Sequence, residues 1–315
     1  MEDGTFTFTP KNNNVISYST NSGKTWTEGN SIEVSNGDKV MWKGTMTPQL
    51  SNGIGTFSAT GNFDVQGNVM SLLFGDNYKG QTDLTEKIFA FYELFYNNTK
   101  IVNAENLYLP ATILANGCYI GMFHGCTNLI TVPELPATTL VGSCYERMFR
   151  DCTSLIIAPA LPATTLKSSC YESMFYGCTN LITAPALPAT TLITSCYTSM
   201  FQGCISLTTA PALPATTLSN YCYSGMFKGC SSLITAPVLP ATTLVNQCYR
   251  YMFQNCTNLN YIKAMFTTTP STSYTSNWVG GVASSGTFVK NSVAQWNVTG
   301  ADGVPTGWTV ETASE

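Results

Sequence analysis

The chain has 315 residues, of which 44% are apolar and only 10% are charged, and its net charge is −4. The low charge and the lack of a basic cluster argue against nucleic acid as a partner. The apolar runs are far shorter than the roughly 20 residues of a membrane-spanning helix, so we expect no membrane insertion. The length predicts two or three structural units around a substantial core.

The first 80 residues alternate apolar and polar side chains in short runs such as GTFTFTP and VISYSTN. Asn-Gly and Ser-Gly pairs between these runs are typical of hairpin turns. The pattern predicts a small antiparallel β domain at residues 1–80. Tyr18, Trp26 and Trp42 are interpreted as part of its core rather than as a binding site.

Six repeats of 26 residues follow, and they contain all twelve cysteines of the chain. Each repeat begins at a leading cysteine, and these are Cys118, Cys144, Cys170, Cys196, Cys222 and Cys248. A trailing cysteine follows eight residues later, at Cys126, Cys152, Cys178, Cys204, Cys230 and Cys256. A degenerate copy at 91–114 precedes them. A fixed period of this length predicts a solenoid, which we place at residues 81–263 with one degenerate and six full repeats.

The stretch CYESMFYGC, residues 170–178, represents the start of every repeat. On a helical wheel its two cysteines, Tyr, Met and Phe fall within an arc of about 140°. This predicts an amphipathic helix of about two turns with buried thiols. Such a helix would hold the cysteines about 12 Å apart, too far for a disulfide. An extended segment would instead bring stacked copies within about 5 Å and allow pairing.

Features of a reaction centre are lacking in the sequence. The chain has no CxxC pair and a single histidine, His124, so the cysteines predict neither a zinc site nor a nucleophile. No phosphate loop or His/Asp/Ser set occurs either. We therefore expect no metal, no cofactor, no catalytic residue and no enzyme activity.

The remainder of each repeat reads like LITAPALPATTL, in which Thr and Ile favour extension and Pro185 removes a backbone donor. It predicts two or three strand residues per repeat, stacked in parallel. Residues 264–315 contain strand-like runs, SGTFVKN and GVPTGWTVE, and predict a C-terminal β cap over the open end. The predicted fold is an α/β repeat solenoid with short parallel strands plus short helices, an N-terminal antiparallel β domain and this cap.

The run LPATTLKSSCYESMFYGCTNLITAPAL, residues 161–187, resembles the BspA-like leucine-rich repeat family. The resemblance covers about residues 91–263. It implies a curved right-handed solenoid with a parallel sheet on one face, a role in cell-surface adhesion or recognition in gut and oral bacteria or their phages, and no enzyme activity. The repeat departs from the family pattern in its length and in the second cysteine before the Tyr.

Positions that differ between repeats indicate where a ligand could bind. On the helical wheel the second, third and sixth residues after each leading cysteine face outward. Arg and Tyr are favoured at interface hot spots. The candidate binding residues are Arg147, Arg150, Tyr176, Gln202, Lys228, Arg250 and Tyr251. The nearly uniform TAPAL face is a second candidate surface, suited to a repetitive glycan or to another subunit.

The leading hypothesis is a non-enzymatic surface recognition or adhesion protein that binds a host protein or glycan, at the cell surface or outside the cell. The start MEDGTFTF lacks the basic and apolar parts of a signal peptide. Such a start is expected of a trimmed secreted protein, of a segment of a larger chain, or of a protein that is not secreted, such as a phage protein. The alternative hypothesis is a structural or receptor-binding protein of a phage particle, located in the virion, whose N-terminal β domain serves as docking module. Self-association into a scaffold is a third hypothesis.

Overall fold

The N-terminal part of the chain forms two three-stranded antiparallel sheets. The structure is a computed structural model that describes residues 2–48 and 52–313. The strands are β1 (Gly4–Pro10), β2 (Ile16–Ser19), β3 (Thr27–Glu28), β4 (Ser31–Val34), β5 (Met41–Gly44) and β6 (Gly55–Ala59). Their orders are β4-β1-β6 and β3-β2-β5. The alternation in β1 buries Phe6 and Phe8, and the ring of Phe6 lies 5.7 Å from that of Trp42.

Parallel pairing begins before the predicted start of the solenoid. The next elements are β7 (Phe63–Asp64), β8 (Gly67–Asn68), α1 (Ser71–Phe74), a 3-10 turn (Gly75–Asn77), β9 (Ile101–Asn103) and β10 (Leu107–Tyr108). β7 pairs in parallel with β9, and β8 with β10. The buried amide of Asn98 also donates to the carbonyl of Phe57 at 3.0 Å. The N-terminal part is therefore joined to the degenerate first repeat by two short parallel strand pairs and by this side-chain hydrogen bond.

The segments between leading and trailing cysteines are chains of tight turns, so the predicted short helices are wrong. An α-helix bonds each N–H to the carbonyl four residues earlier. Here the N–H of Met174 instead bonds to the carbonyl of Tyr171 at 3.2 Å, three residues earlier. We number the coils 1 to 6 by their leading cysteines, from Cys118 to Cys248, and call the stack of their turn segments the turn ribbon.

A left-handed residue at every fourth position explains why no helix forms. In coil 3 the backbone φ is 55° at Ser169, 55° at Ser173 and 72° at Gly177. An α-helix tolerates no such residue, because each of its members must be right-handed. The position before the trailing cysteine is Gly, Asp or Asn in every coil, and these residues adopt the left-handed region most easily.

Backbone hydrogen bonds in the turn ribbon alternate between two directions. Tyr171 donates its N–H to the carbonyl of Cys196 in the next coil at 3.1 Å, whereas Cys170 donates within its own coil, to Lys167 at 3.3 Å. Together the two sets use every N–H from residue 169 to residue 178. The buried backbone of the ribbon is therefore satisfied without help from side chains.

Aromatic rings form two columns inside the solenoid. Tyr171 and Tyr197 stack with their centroids 5.9 Å apart and their planes at 3°. Phe175 and Phe201 stack in the same way at 5.6 Å. Because the same Tyr, Met and Phe recur in all six coils, each coil presents a matching surface to its neighbours.

The cysteines lie in this core, and all twelve are buried and unpaired. The prediction of buried thiols is thereby confirmed. The trailing thiol of Cys178 donates to the carbonyl of Phe149 in the preceding coil at 3.1 Å. Burial raises the pKa of Cys118 to about 12 and that of Cys248 to about 11. Since the coils are not helices, the helix-based argument against disulfides between neighbouring coils no longer applies.

The opposite side of the coils is joined by single parallel bridges. Thr183 pairs with Ile157 in the coil before and with Thr209 in the coil after. The parallel direction agrees with the prediction, but the paired stretch is shorter than two or three residues. Pro185, which has no N–H, follows two residues after Thr183 and limits the pairing.

The C-terminal residues continue the stacking of the coils. They contain β11 (Tyr261–Ala264), α2 (Thr272–Thr275), β12 (Thr287–Lys290) and β13 (Thr309–Thr312). The three strands form a parallel sheet in the order β11-β12-β13. Phe253 donates its N–H to the carbonyl of Trp278 at 2.7 Å, the same 25-residue step that joins the coils. Among the described residues, no helix has the length and apolar character needed to cross a membrane.

Candidate recognition surface

The turn ribbon separates an invariant buried side from a variable outer side. In coil 3, Tyr171, Met174 and Phe175 are buried, whereas Glu172 and Tyr176 keep part of their side chains in solvent. Equivalent residues lie above one another, since the Phe column advances by 5.6 to 5.8 Å per coil. The variable positions therefore form columns along the solenoid.

The candidate residues from the sequence occupy three neighbouring columns. The sixth position after the leading cysteine contributes Arg150, Tyr176, Gln202 and Lys228. The third position contributes Arg147 and Tyr251, and the second contributes Arg250. The structure sorts most of them into two groups separated by the coil of Gln202, whose side chain is half-buried.

The first group is built around Arg150. Its guanidinium lies over the ring of Tyr176, 4.2 Å from the centroid, and its Nε lies 3.3 Å from Oδ2 of Asp151. Nε2 of His124 lies 3.4 Å from the same oxygen, and the His124 ring packs edge-on against Tyr96 at 5.0 Å. Burial lowers the pKa of His124, and the nearby carboxylate of Asp151 only partly opposes this effect.

Arg147 lies beside this group and is paired with a carboxylate. Its Nη2 is 2.7 Å from Oε1 of Glu146. Burial raises the pKa of Glu172 in the next coil, and the nearby charge of Glu146 raises it further. Arg147 and Arg150 of coil 2 are thus largely neutralised by carboxylates of the same surface.

The second group is built around Tyr251. Nζ of Lys228 lies 5.2 Å from the centroid of its ring, and the guanidinium carbon of Arg250 lies 4.5 Å from it. Nη2 of Arg250 donates to the Tyr251 hydroxyl at 3.2 Å. This hydrogen bond and the charge of Arg250 lower the pKa of the Tyr251 phenol, and the charge of Lys228 adds a smaller effect.

Comparison with known protein families identifies the repeats. The family described as BspA type Leucine rich repeat region (6 copies) matches residues 91–234 and 168–276. The two overlapping matches together span more than half of the chain. The chain belongs to the BspA-type leucine-rich repeat family. No curated protein and no solved structure matches the chain.

Membership of the BspA-type family confirms the resemblance seen in the sequence. Leucine-rich repeats of this kind are generally non-enzymatic protein-interaction modules, and proteins that carry them are typically surface-associated. Within residues 2–48 and 52–313, no group of three or more His, Cys, Asp or Glu side chains is placed to hold a metal ion.

The side of the coils that carries the TAPAL segment varies less in residue type from coil to coil than the turn ribbon does. Large apolar side chains there are about half exposed and recur at intervals of whole repeats, at Ile130, Ile156, Ile182 and Ile234. Exposed pairs of Thr follow them, such as Thr190 and Thr191. This side repeats a single chemistry, whereas the turn ribbon changes from coil to coil.

A cleft of about 610 Å³ in the N-terminal part escaped the sequence analysis. Trp26, Trp42 and Phe63 are among its lining residues. Nζ of Lys43 lies 2.8 Å from both carboxylate oxygens of Asp76 and 4.2 Å from the centroid of Trp26. Both tryptophans are half-buried. The cleft was missed because its walls, β5 and the segment 63–78, are distant in the sequence.

Proposed function

We propose that the protein is a non-enzymatic recognition or adhesion protein that acts at the cell surface or outside the cell and binds a host protein or glycan through the turn ribbon. The observation that carries the proposal is the contrast between the two sides of the ribbon. Its interior Cys, Tyr, Met and Phe are identical in all six coils, while the outer columns change and collect Arg and Tyr. The BspA-type repeats support an interaction role.

The backbone of the ribbon makes its outer side chains suitable for binding. Two sets of hydrogen bonds hold the backbone of each coil in place. Binding therefore does not need to order a flexible loop, a step that would weaken the affinity for the ligand. Five steps of 5.6 to 5.8 Å give the six coils a length of about 28 Å. This length is sufficient for one side of an ordinary protein interface, which buries about 800 Å² per partner.

Binding to host cells, immobilised matrix proteins and a panel of glycans tests the proposal. The variant Arg150→Ala/Tyr176→Ala removes the first group of the ribbon. Removal of two hot-spot side chains predicts binding at least about tenfold weaker. The matched control is Thr164→Ala/Thr190→Ala, which truncates two exposed side chains on the TAPAL side.

The outcomes discriminate between the hypotheses. An equal loss of affinity in both variants would place binding outside the ribbon, and an intact protein that binds none of these targets contradicts the proposal. Binding to bacterial envelopes in place of host cells would favour the phage-particle alternative.

A further inference from the structure

Charge is distributed unevenly along the solenoid. The chain contains no Asp or Glu between Glu172 and Asp302, and fifteen of its eighteen acidic residues lie at or before Glu172. Four cations lie in the acid-free stretch, and they are Lys228, Arg250, Lys263 and Lys290. Coil 4 is therefore uncharged and coils 5 and 6 are positive, although the whole protein has a net charge of −4.

Two of these four cations converge on the outer side of the ribbon. Lys228 and Arg250 lie 5.2 and 4.5 Å from the centroid of the same ring, that of Tyr251, so they are no more than about 10 Å apart. Within residues 2–48 and 52–313 neither forms an ion pair with a carboxylate, in contrast to Arg147 and Arg150. The lowered pKa of the Tyr251 phenol agrees with a positive potential at this place.

We propose that Lys228 and Arg250 bind the acidic group of a sulfated or carboxylated glycan beside Tyr251. An anion between the two cations gains charge-assisted hydrogen bonds from both. The adjoining outer positions Gln202 and Gln254 are neutral and polar and keep part of their side chains in solvent, so they suit the hydroxyl groups of a sugar. This inference rests on the proposed recognition function and specifies one class of ligand for it.

Other polyanions fit the group less well. A cation near an anionic membrane contributes about 1 kcal/mol, so two cations without an apolar anchor give only weak membrane binding. Nucleic acid binding relies on many phosphate contacts, and the acid-free coils offer only two converging cations. A sugar acid needs only a few charged contacts, because its hydroxyl groups supply the remaining hydrogen bonds.

The test measures binding of a heparin-derived octasaccharide to the full chain by calorimetry, with the desulfated, N-acetylated and carboxyl-reduced octasaccharide as an uncharged comparison. We expect the sulfated form alone to bind, about tenfold more weakly at 200 mM than at 50 mM salt if two cations are neutralised. Lys228→Gln/Arg250→Gln should weaken binding at least tenfold. The control Lys167→Gln/Lys263→Gln makes the same change in net charge away from the group and should bind like the parent protein.

Three results would overturn the inference. One is equal binding of the uncharged octasaccharide, and another is an equal effect of the two double variants. Phosphatidylserine vesicles that bind more tightly than the octasaccharide would assign the group to a membrane and overturn it as well. If host-cell binding still depends on Arg150 and Tyr176 in any of these cases, the proposed function stands and only the glycan assignment fails.

Discussion

The carboxylate of Asp151 occupies the space that a side chain at Gly177, one coil later, would need. Both residues have a positive φ and both precede a trailing cysteine. In coil 4 the equivalent residue is Gly203, and a Cβ added there would meet only the backbone Cα and N of Gly177, both at an ordinary 3.7 Å. The residue that a coil tolerates at this position therefore depends on the coil before it.

Replacement of these two glycines by Ala should destabilise the protein unequally. Gly203→Ala should cost about 1 kcal/mol, because Ala is disfavoured in the left-handed region. Gly177→Ala should cost roughly 1 kcal/mol more, because its Cβ also displaces the Asp151 carboxylate. Urea unfolding of both variants measures the difference in the free energy of unfolding.

The double variant Asp151→Gly/Gly177→Ala is the control for this comparison. With the carboxylate removed, Ala at 177 should cost no more than Ala at 203. Equal costs in the two single variants would show that Asp151 moves aside freely.

The hydroxyl of Tyr197 is buried and lacks a hydrogen-bond partner among the described residues. Tyr197→Phe keeps the ring stack and removes this unpaired hydroxyl, so it should leave stability unchanged or raise it by up to about 1 kcal/mol. Tyr197→Ala opens the column and should cost about 3–5 kcal/mol. Thermal unfolding checks both values, and a clear loss of stability in Tyr197→Phe would reveal a partner for the hydroxyl.

All twelve cysteines should be free thiols, and in the folded protein they should react only slowly with a labelling reagent. Burial raises the pKa of Cys118 to about 12, so almost no thiolate is present at neutral pH. We expect twelve free thiols per chain in unfolded, never-reduced protein, and slow labelling of the same protein when folded. Mass spectrometry counts the labels. Disulfides between neighbouring leading cysteines would instead show that the stacked coils are oxidised.

Stability should fall at alkaline pH. The folded pKa of Cys118 is about 12 and that of Cys248 about 11, above the value of about 8.5 in an unfolded chain. The contribution of each thiol is thus complete below about pH 8.5. It is then lost by at most about 1.4 kcal/mol per pH unit as the pH rises toward the folded pKa. Denaturant unfolding from pH 7 to 10.5 measures how the free energy of unfolding changes with pH. Cys118→Ala removes one titrating thiol, so it should make this slope shallower by the contribution of at most one proton.

The sequence predicted the repeat and its buried face correctly but assigned the wrong local structure. Over the nine residues from Cys170 to Cys178, a helical period of 3.6 and a turn period of four diverge by only about 80°. Both place the same side chains inward. The feature that distinguishes the turns from a helix is a residue with a positive φ at every fourth position, as at Gly117, Gly121 and Gly125.

The contacts within the candidate surface could not be predicted from the sequence for a different reason. The stacking of Tyr176 on Arg150 joins residues of neighbouring coils, and it depends on the 25-residue step of the hydrogen bonds rather than on local spacing. Asp151 was not selected as a candidate because it stands where most coils have Gly. Its role becomes visible only through its distances to Arg150 and His124.

The alternating hydrogen bonds of the turn ribbon have a consequence for the gene. Each coil donates to the carbonyls of the next one through backbone groups alone, so coils 3, 4 and 5, which all carry Gly before the trailing cysteine, can follow one another in register. Loss of residues 196–221 would set the N–H of Tyr171 against the carbonyl of Cys222 and move Lys228 next to Tyr176. Recombination between near-identical repeats would therefore reset the distance between the two charged groups in whole-coil steps, and ligand preference could diversify without a single point mutation.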